Sequence, residues 1–193
     1  MSRIGVIFVT GKLNRLKMKA FKYSLFVLAI GLVLGSCRKI VQLPPEPYIE
    51  FQNFTVIDTS DILGNFLKGG RLKIYFEDGD GDLGLRAAET GEEDTTNLFL
   101  TMYRKTGGKM VPVPDDDLMK PSDYRIPYME RTGNNKILKG TIAVTFLYLF
   151  YDPADNDTII YDIYIRDRAG NNSNTVSTSE IALSFNNVYR KQE

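Results

Sequence analysis

Beyond residue 47 the apolar side chains of this chain come in short runs that alternate with polar ones, and clusters of Gly, Asn and Asp divide the runs. Alternation with period two puts every second side chain on one face of an extended strand, whereas a helix needs apolar spacings of three and four. Residues 71–76 show it cleanly: Leu72, Ile74 and Phe76 share one face, Arg71, Lys73 and Tyr75 the other. Residues 158–166 repeat it with Ile159, Tyr161, Ile163 and Ile165 inward. Further strands are predicted at 48–57, with Ile49, Phe51 and Val56 inward, and at 98–103, 109–113 and 175–185, with Thr106-Gly107-Gly108 as a hairpin turn. Pro127 demotes 123–129 to an edge or a loop. Residues 137–151 are the most apolar stretch, and the run 146–151 predicts burial on both faces. Seven or eight short strands without a long helix make the expected fold all-β, an antiparallel β-sandwich.

The residues ahead of the strands have a different character. Arg15, Lys17, Lys19 and Lys22 precede an apolar run from Leu25 to Leu34, which ends in Leu34-Gly35-Ser36-Cys37. Positive, then apolar, then small residues is the layout of a secretory signal peptide. Arg38 and Lys39 interrupt the run before it reaches the roughly 20 apolar residues of a membrane span. The closing four residues resemble the lipobox of bacterial lipoproteins, in which Leu and two small residues precede a cysteine. The resemblance implies cleavage before Cys37 and acylation of its thiol. Residues 1–36 are then a signal peptide, with Met18 the expected initiator because residues 4–9 add a second apolar stretch ahead of the basic one. Residues 37–47 become the lipidated cysteine and a tether stiffened by Pro44, Pro45 and Pro47. The sandwich domain is expected over 48–187 and a C-terminal tail over 188–193.

Removing 36 residues that carry six basic side chains and no acid, from a chain with 24 basic and 24 acidic groups, leaves a formal charge of −6. Such a surface disfavours nucleic acid and offers no electrostatic grip on anionic lipid, so attachment falls to the acyl chains. Each buried methylene contributes about 0.8 kcal/mol, and two or more chains hold stably. The remaining 157 residues suffice for one domain with its own core. They contain no thiol after Cys37 and no histidine, which removes disulfides, thiolate metal sites and every Ser-His or Cys-His nucleophile.

Chemistry concentrates in Phe76-Glu77-Asp78-Gly79-Asp80-Gly81-Asp82-Leu83-Gly84. Asp78, Asp80 and Asp82 place three carboxylates two residues apart on a flexible chain, a hard-oxygen set suited to Ca²⁺. An EF-hand loop starting at Asp78 would need Gly at its sixth position, where Leu83 stands. The other reading is a solvated turn whose aspartates cap backbone amides and whose glycines set the bends. The string Phe-x-Asp-Gly-Asp-Gly-Asp-x-Gly resembles a motif of uncharacterised lipoproteins of the Bacteroidota. The acids of 89–94 and 115–117 read as solvated insertions, while Asp152, Asp155 and Asp157 could add a ligand should their loop approach Asp80.

Residues 161–183, from Tyr161 through Asp167-Arg168-Ala169-Gly170-Asn171 to Leu183, are similar to the last hairpin of bacterial immunoglobulin-like repeats. The likeness implies an Ig-like sandwich, here without the cysteine pair or tryptophan of antibody domains. Gly170 can take positive φ there and Asp167 can accept the turn's amides. Together these features make the expected protein a lipid-anchored, non-catalytic component of the cell envelope that binds an envelope partner or serves as an accessory subunit, with Ca²⁺ as its candidate stabilising ion. Resemblance places it at the outer membrane, because Arg38 rather than Asp follows Cys37, with the periplasmic face favoured. Two alternatives stand beside it. One is a glycan-binding lipoprotein using its 11 Tyr and 11 Phe; the other is a carboxylate-based glycoside hydrolase.

Overall fold

The computed structural model describes residues 21–24, 43–86, 96–130, 136–152 and 158–191. The chain forms two compact units, Met1–Val41 and Gln42–Glu193. Of the first, only a helical turn at 21–24 is described, so the lipobox and Cys37 lie outside the described residues. So do residues 89–94, Asp155 and Asp157. No helix among the described residues is long and apolar enough to cross a membrane.

The second unit is built from strands β1 (Tyr48–Ser60), β2 (Phe66–Asp78), β3 (Leu98–Thr106), β4 (Lys109–Pro112), β5 (Leu138–Tyr148), β6 (Thr158–Ile165), β7 (Val176–Ser177), β8 (Ile181–Ala182) and β9 (Asn187–Arg190). One sheet has the order β5-β2-β1-β9; the other runs β4-β3-β6-β7, with β8 also on β6. Every named pairing is antiparallel. The chain crosses between sheets after β2, β4, β5 and β8; β1, β2 and β5 pair in the order of A, B and E of an immunoglobulin sandwich and β4-β3-β6-β7 in that of C′-C-F-G, with β9 added beside β1.

Alternation accounts for the core. Leu72, Ile74 and Phe76 are buried from β2, and Ile159, Tyr161, Ile163 and Ile165 from β6. In β1 the inward set changes parity, Ile49 and Phe51 and then Phe54 and Val56, because the register slips between Phe51 and Asn53. A β-bulge at that point turns the strand half a pleat and brings Phe54 inward. Phe54 stacks on Tyr161, with ring centroids 5.8 Å apart, and lies 5.9 Å from Phe146. Tyr148 and Tyr161, fully buried, join their hydroxyls at 2.8 Å, which satisfies both polar tips in the apolar interior. Burial pushes both phenols well above their ordinary range, so they stay neutral. Gly70 lies inward between Phe54 and Tyr148, where a Cβ would stand 2.8 Å from Phe54 Cε1 and 3.1 Å from Tyr148 Cε2.

Four expectations are corrected. The run 146–151 is not buried on both faces: Phe146 and Tyr148 are, while Leu147, Leu149 and Phe150 are more than half exposed. The cause is that Leu147 points to the outer, solvent-facing side of its sheet, while Leu149 and Phe150 lie in the turn after β5 ends at Tyr148. The stretch 175–185 is two short strands, since the Thr178 hydroxyl accepts the Tyr161 amide and interrupts the ladder. Residues 188–190 are not tail but part of β9, which pairs with β1 from Asn53 to Val56. The domain also starts before residue 48, because Pro47 is buried.

Candidate metal centre

Strand parity decides where the acidic loop begins. Asp78 continues the inward series Leu72, Ile74, Phe76 and is completely buried at the end of β2. A carboxylate in that place needs partners. Its Oδ1 accepts the Gly81 amide at 3.1 Å and its Oδ2 the Leu83 amide at 2.7 Å, which folds the chain back over it. Gly81 and Gly84 take φ of 68° and 90°, and Leu83 drops into the core with no exposed surface. Leu83 therefore anchors the loop where an EF-hand would have its glycine, and the loop is a different structure from an EF-hand.

This turn gathers one ligand atom from each of Asp78, Asp80 and Asp82 within 4.8 Å of one another. Two oxygens on opposite sides of a Ca²⁺ ion stand about 4.6–5.2 Å apart, at roughly 2.3–2.6 Å each, so the spacing of the triad is compatible with three of the six to eight oxygens such an ion takes. Both Asp78 oxygens keep a second lone pair beyond the amides they accept. Oδ1 of Asp82 is inaccessible to solvent and has no hydrogen-bond partner among the described residues.

No protein-family model, no curated protein and no solved structure matches the chain.

The electrostatics suit a cation. Desolvation raises the Asp78 carboxyl above the usual range, and the neighbouring Asp80 adds to the rise. Burial also raises Asp82, helped by the charges of Asp167, Asp80 and Asp78 and opposed by Arg168. One guanidinium thus stands against four carboxylates.

Asp167 and Arg168 come from the turn after β6, a second motif visible in the sequence, and the fold brings the two motifs together. The Ala169 amide donates to Asp82 Oδ2 at 3.1 Å, and Arg168 donates to the Gly84 carbonyl at 2.7 Å while lying 5.0 Å over the Tyr128 ring. Asp167 is spent on its own turn, accepting the Asn171 amide and side chain at 2.7 and 2.8 Å. It adds charge to the field but is not one of the three clustered carboxylates. The chain entering the domain lies against the loop at Gly79: a Cβ there would stand 2.6 Å from the Leu43 carbonyl oxygen and closer still to that of Pro44. Only a residue without a side chain fits between Asp78 and Asp80.

The other predicted acids sit elsewhere. Asp117 pairs with Arg104 at 3.0 Å, and Asp115 pairs with Lys120. Nothing in the spacing of residues 82 and 169 announces their contact. The contributions of Leu43, Pro44, Arg168 and Ala169 were therefore invisible to a reading along the chain.

Proposed function

We propose that this chain is a lipid-anchored, non-catalytic cell-envelope protein whose Ig-like domain is a binding or accessory module, with a Ca²⁺ ion stabilising the end where its tether enters. The observation that carries the reading is the clustering of the Asp78, Asp80 and Asp82 carboxylates in a loop that also contacts the 167–171 turn through Asp82 and residues 43–44 through Gly79. An ion there would relieve the mutual repulsion of the carboxylates and so firm the loop on which those two segments rest. The binding role draws support from the far end of the domain. Ile62 is fully exposed, Leu63 81% exposed and Phe66 more than half exposed in and beside the β1–β2 hairpin, and the exposed Leu149 and Phe150 follow the end of β5, where Tyr148 pairs with Lys68. An apolar cluster of this kind on a soluble face marks a contact surface.

The two alternatives have weaker support. Glycan stacking needs a platform of exposed aromatic faces; Tyr48, Phe66, Phe150 and Phe185 are exposed, but the outward pair Phe99 and Tyr164 stack on each other at 4.7 Å and Arg166 covers Phe99 at 5.1 Å. A hydrolase needs an accessible acid with a raised pKa, whereas Asp78 is sealed beneath its loop with both oxygens accepting amides, and the other raised acid, Asp82, has its Oδ2 on the Ala169 amide and its Oδ1 shielded from solvent.

The test is thermal unfolding of the full chain in mild detergent, first with EDTA and then with millimolar Ca²⁺. At about 100 times its Kd a native-state ligand adds about 2.7 kcal/mol, or about 5–10 °C for a domain of this size. The rise should vanish in Asp82→Asn. No rise in the parent protein refutes the ion, and incorporation of radiolabelled palmitate that survives Cys37→Ala refutes the anchor.

A further inference from the structure

Strand β5 has a sheet neighbour on one side only, among the described residues, and that neighbour is β2. A strand in that position directs half of its amides and carbonyls outward. Natural edges are usually guarded by charge, proline or a bulge. This one is 11 residues long, has Lys139 as its sole charge, and presents Thr141, Ala143, Thr145 and Leu147 on its outer face. Its register with β2 runs without interruption from Leu138 to Tyr148, so no bulge twists it away.

Alongside the edge runs the segment 124–129, held to the opposite sheet. Tyr124 exchanges backbone bonds with Leu98, and Leu85 donates to the Ile126 carbonyl and accepts from Tyr128. Between this segment and the edge lies a groove of about 430 Å³, with Ile126, Pro127 and Met129 on one wall and Ile142, Ala143 and Val144 on the other. The Tyr124 hydroxyl reaches across one end to the Thr145 carbonyl at 3.4 Å.

We infer that this groove receives an extended strand donated by a partner protein, which would add to β5 through main-chain hydrogen bonds and set apolar side chains against the groove walls. Strand addition is the recognition mode that an open edge beside apolar pockets supports. The dimensions choose the occupant. Two copies meeting edge to edge over 11 residues would share about 36 Å of strand in a layer about 10 Å thick, which buries on the order of 700 Å² in total. That falls short of the roughly 1,200 Å² of a stable interface. The wall of residues 126–129 beside the edge gives one incoming strand a second surface to pack on. The inference rests on the binding-module reading but on neither the lipid nor the ion.

The test pans a displayed library of random heptapeptides on the full chain in mild detergent, then uses synthetic copies of the enriched peptides as probes. They should alternate apolar and polar residues and slow amide exchange across β5 by about tenfold or more, and N-methylation at alternate backbone positions should weaken them by about tenfold or more. Ala143→Arg, and independently Met129→Trp from the other wall, should abolish binding with the thermal midpoint preserved. Cys37→Ala and Asp82→Asn should leave binding intact, which separates this inference from the anchor and the ion. It is overturned if no peptide is enriched, if the bound peptides leave β5 exchange unchanged, or if sedimentation shows a dimer that Ala143→Arg dissolves, which gives the edge to a second copy.

Discussion

Gly69 and Gly70 are adjacent in β2 but face opposite sides of the sheet, and alanine at each should therefore have opposite consequences. At Gly70 the new methyl would meet Phe54 Cε1 at 2.8 Å and Cζ closer still, with Tyr148 Cε2 at 3.1 Å. Neither ring has room to retreat: Phe54 is completely buried between Phe146 and Tyr161, and Tyr148 is fixed by its bond to the Tyr161 hydroxyl. Overpacking of this kind costs about 1–3 kcal/mol. A domain of this size loses roughly 2–4 °C per kcal/mol, so Gly70→Ala should lower the melting midpoint by about 2–12 °C. At Gly69 the nearest atoms are Ile57 Cγ1 at 3.1 Å and Cδ1 at 3.5 Å, the far end of a half-exposed and flexible side chain. Gly69→Ala should stay within about 0.5 kcal/mol of the parent, because the smaller entropy of its unfolded chain offsets a slight crowding. Urea denaturation of the two variants, each compared with the parent at a shared slope, measures the difference. Equal destabilisation, or a larger loss at Gly69, would show that the packing of Phe54 and Tyr148 around β2 is not as described.

The acid loop gives a pH signature with a definite sign. Asp78 and Asp82 have raised native pKa values, so between the ordinary aspartate value near 4 and those raised values the native state binds more protons than the unfolded one. In EDTA that contribution to stability should be full at low pH and fall as pH rises through the raised values, and Ca²⁺ should abolish the fall. Asp58 and Glu77, whose pKa values are lowered by Lys68 and Lys139, act oppositely and only below about pH 4. Denaturation midpoints measured from pH 4 to 7 in EDTA check this, and stability that climbs across the range would refute it. Asn174 offers its side-chain amide to both backbone groups of Ile49, at 2.8 and 2.9 Å, in place of a neighbouring strand. Asn174→Ala should cost about 1–3 kcal/mol and speed exchange of the Ile49 amide. Gly79→Ala should displace residues 43–44, seen as faster proteolysis ahead of Tyr48, with the melting of the rest of the sandwich little changed.

The alternating strands could be read directly because one face of each sheet is buried and the other is wet, so Leu72, Ile74 and Phe76 carry their own orientation. β1 was harder: its bulge converts an odd inward series into an even one, and no residue type near Gln52 signals the slip. β5 misled because a run of apolar residues looks the same whether its outer face meets protein or solvent. The acidic triad was legible as a local spacing, and the 167–171 turn as a local motif. Their contact was not, because it depends on both lying at the same end of facing sheets, across 87 residues of sequence.

The close seating of residues 43–44 on Gly79 shortens the leash. Under the proposed anchoring, five residues, Arg38 to Gln42, separate the acylated cysteine from Leu43, whose carbonyl lies against Gly79. At no more than about 3.6 Å per residue, six steps from Cys37 to Leu43 reach roughly 20 Å. A domain so confined explores a thin layer above the bilayer rather than a volume, and its encounters become two-dimensional. A modest intrinsic affinity is then enough to keep it joined to another component of the same membrane, because the local concentration within so short a radius reaches about the millimolar range.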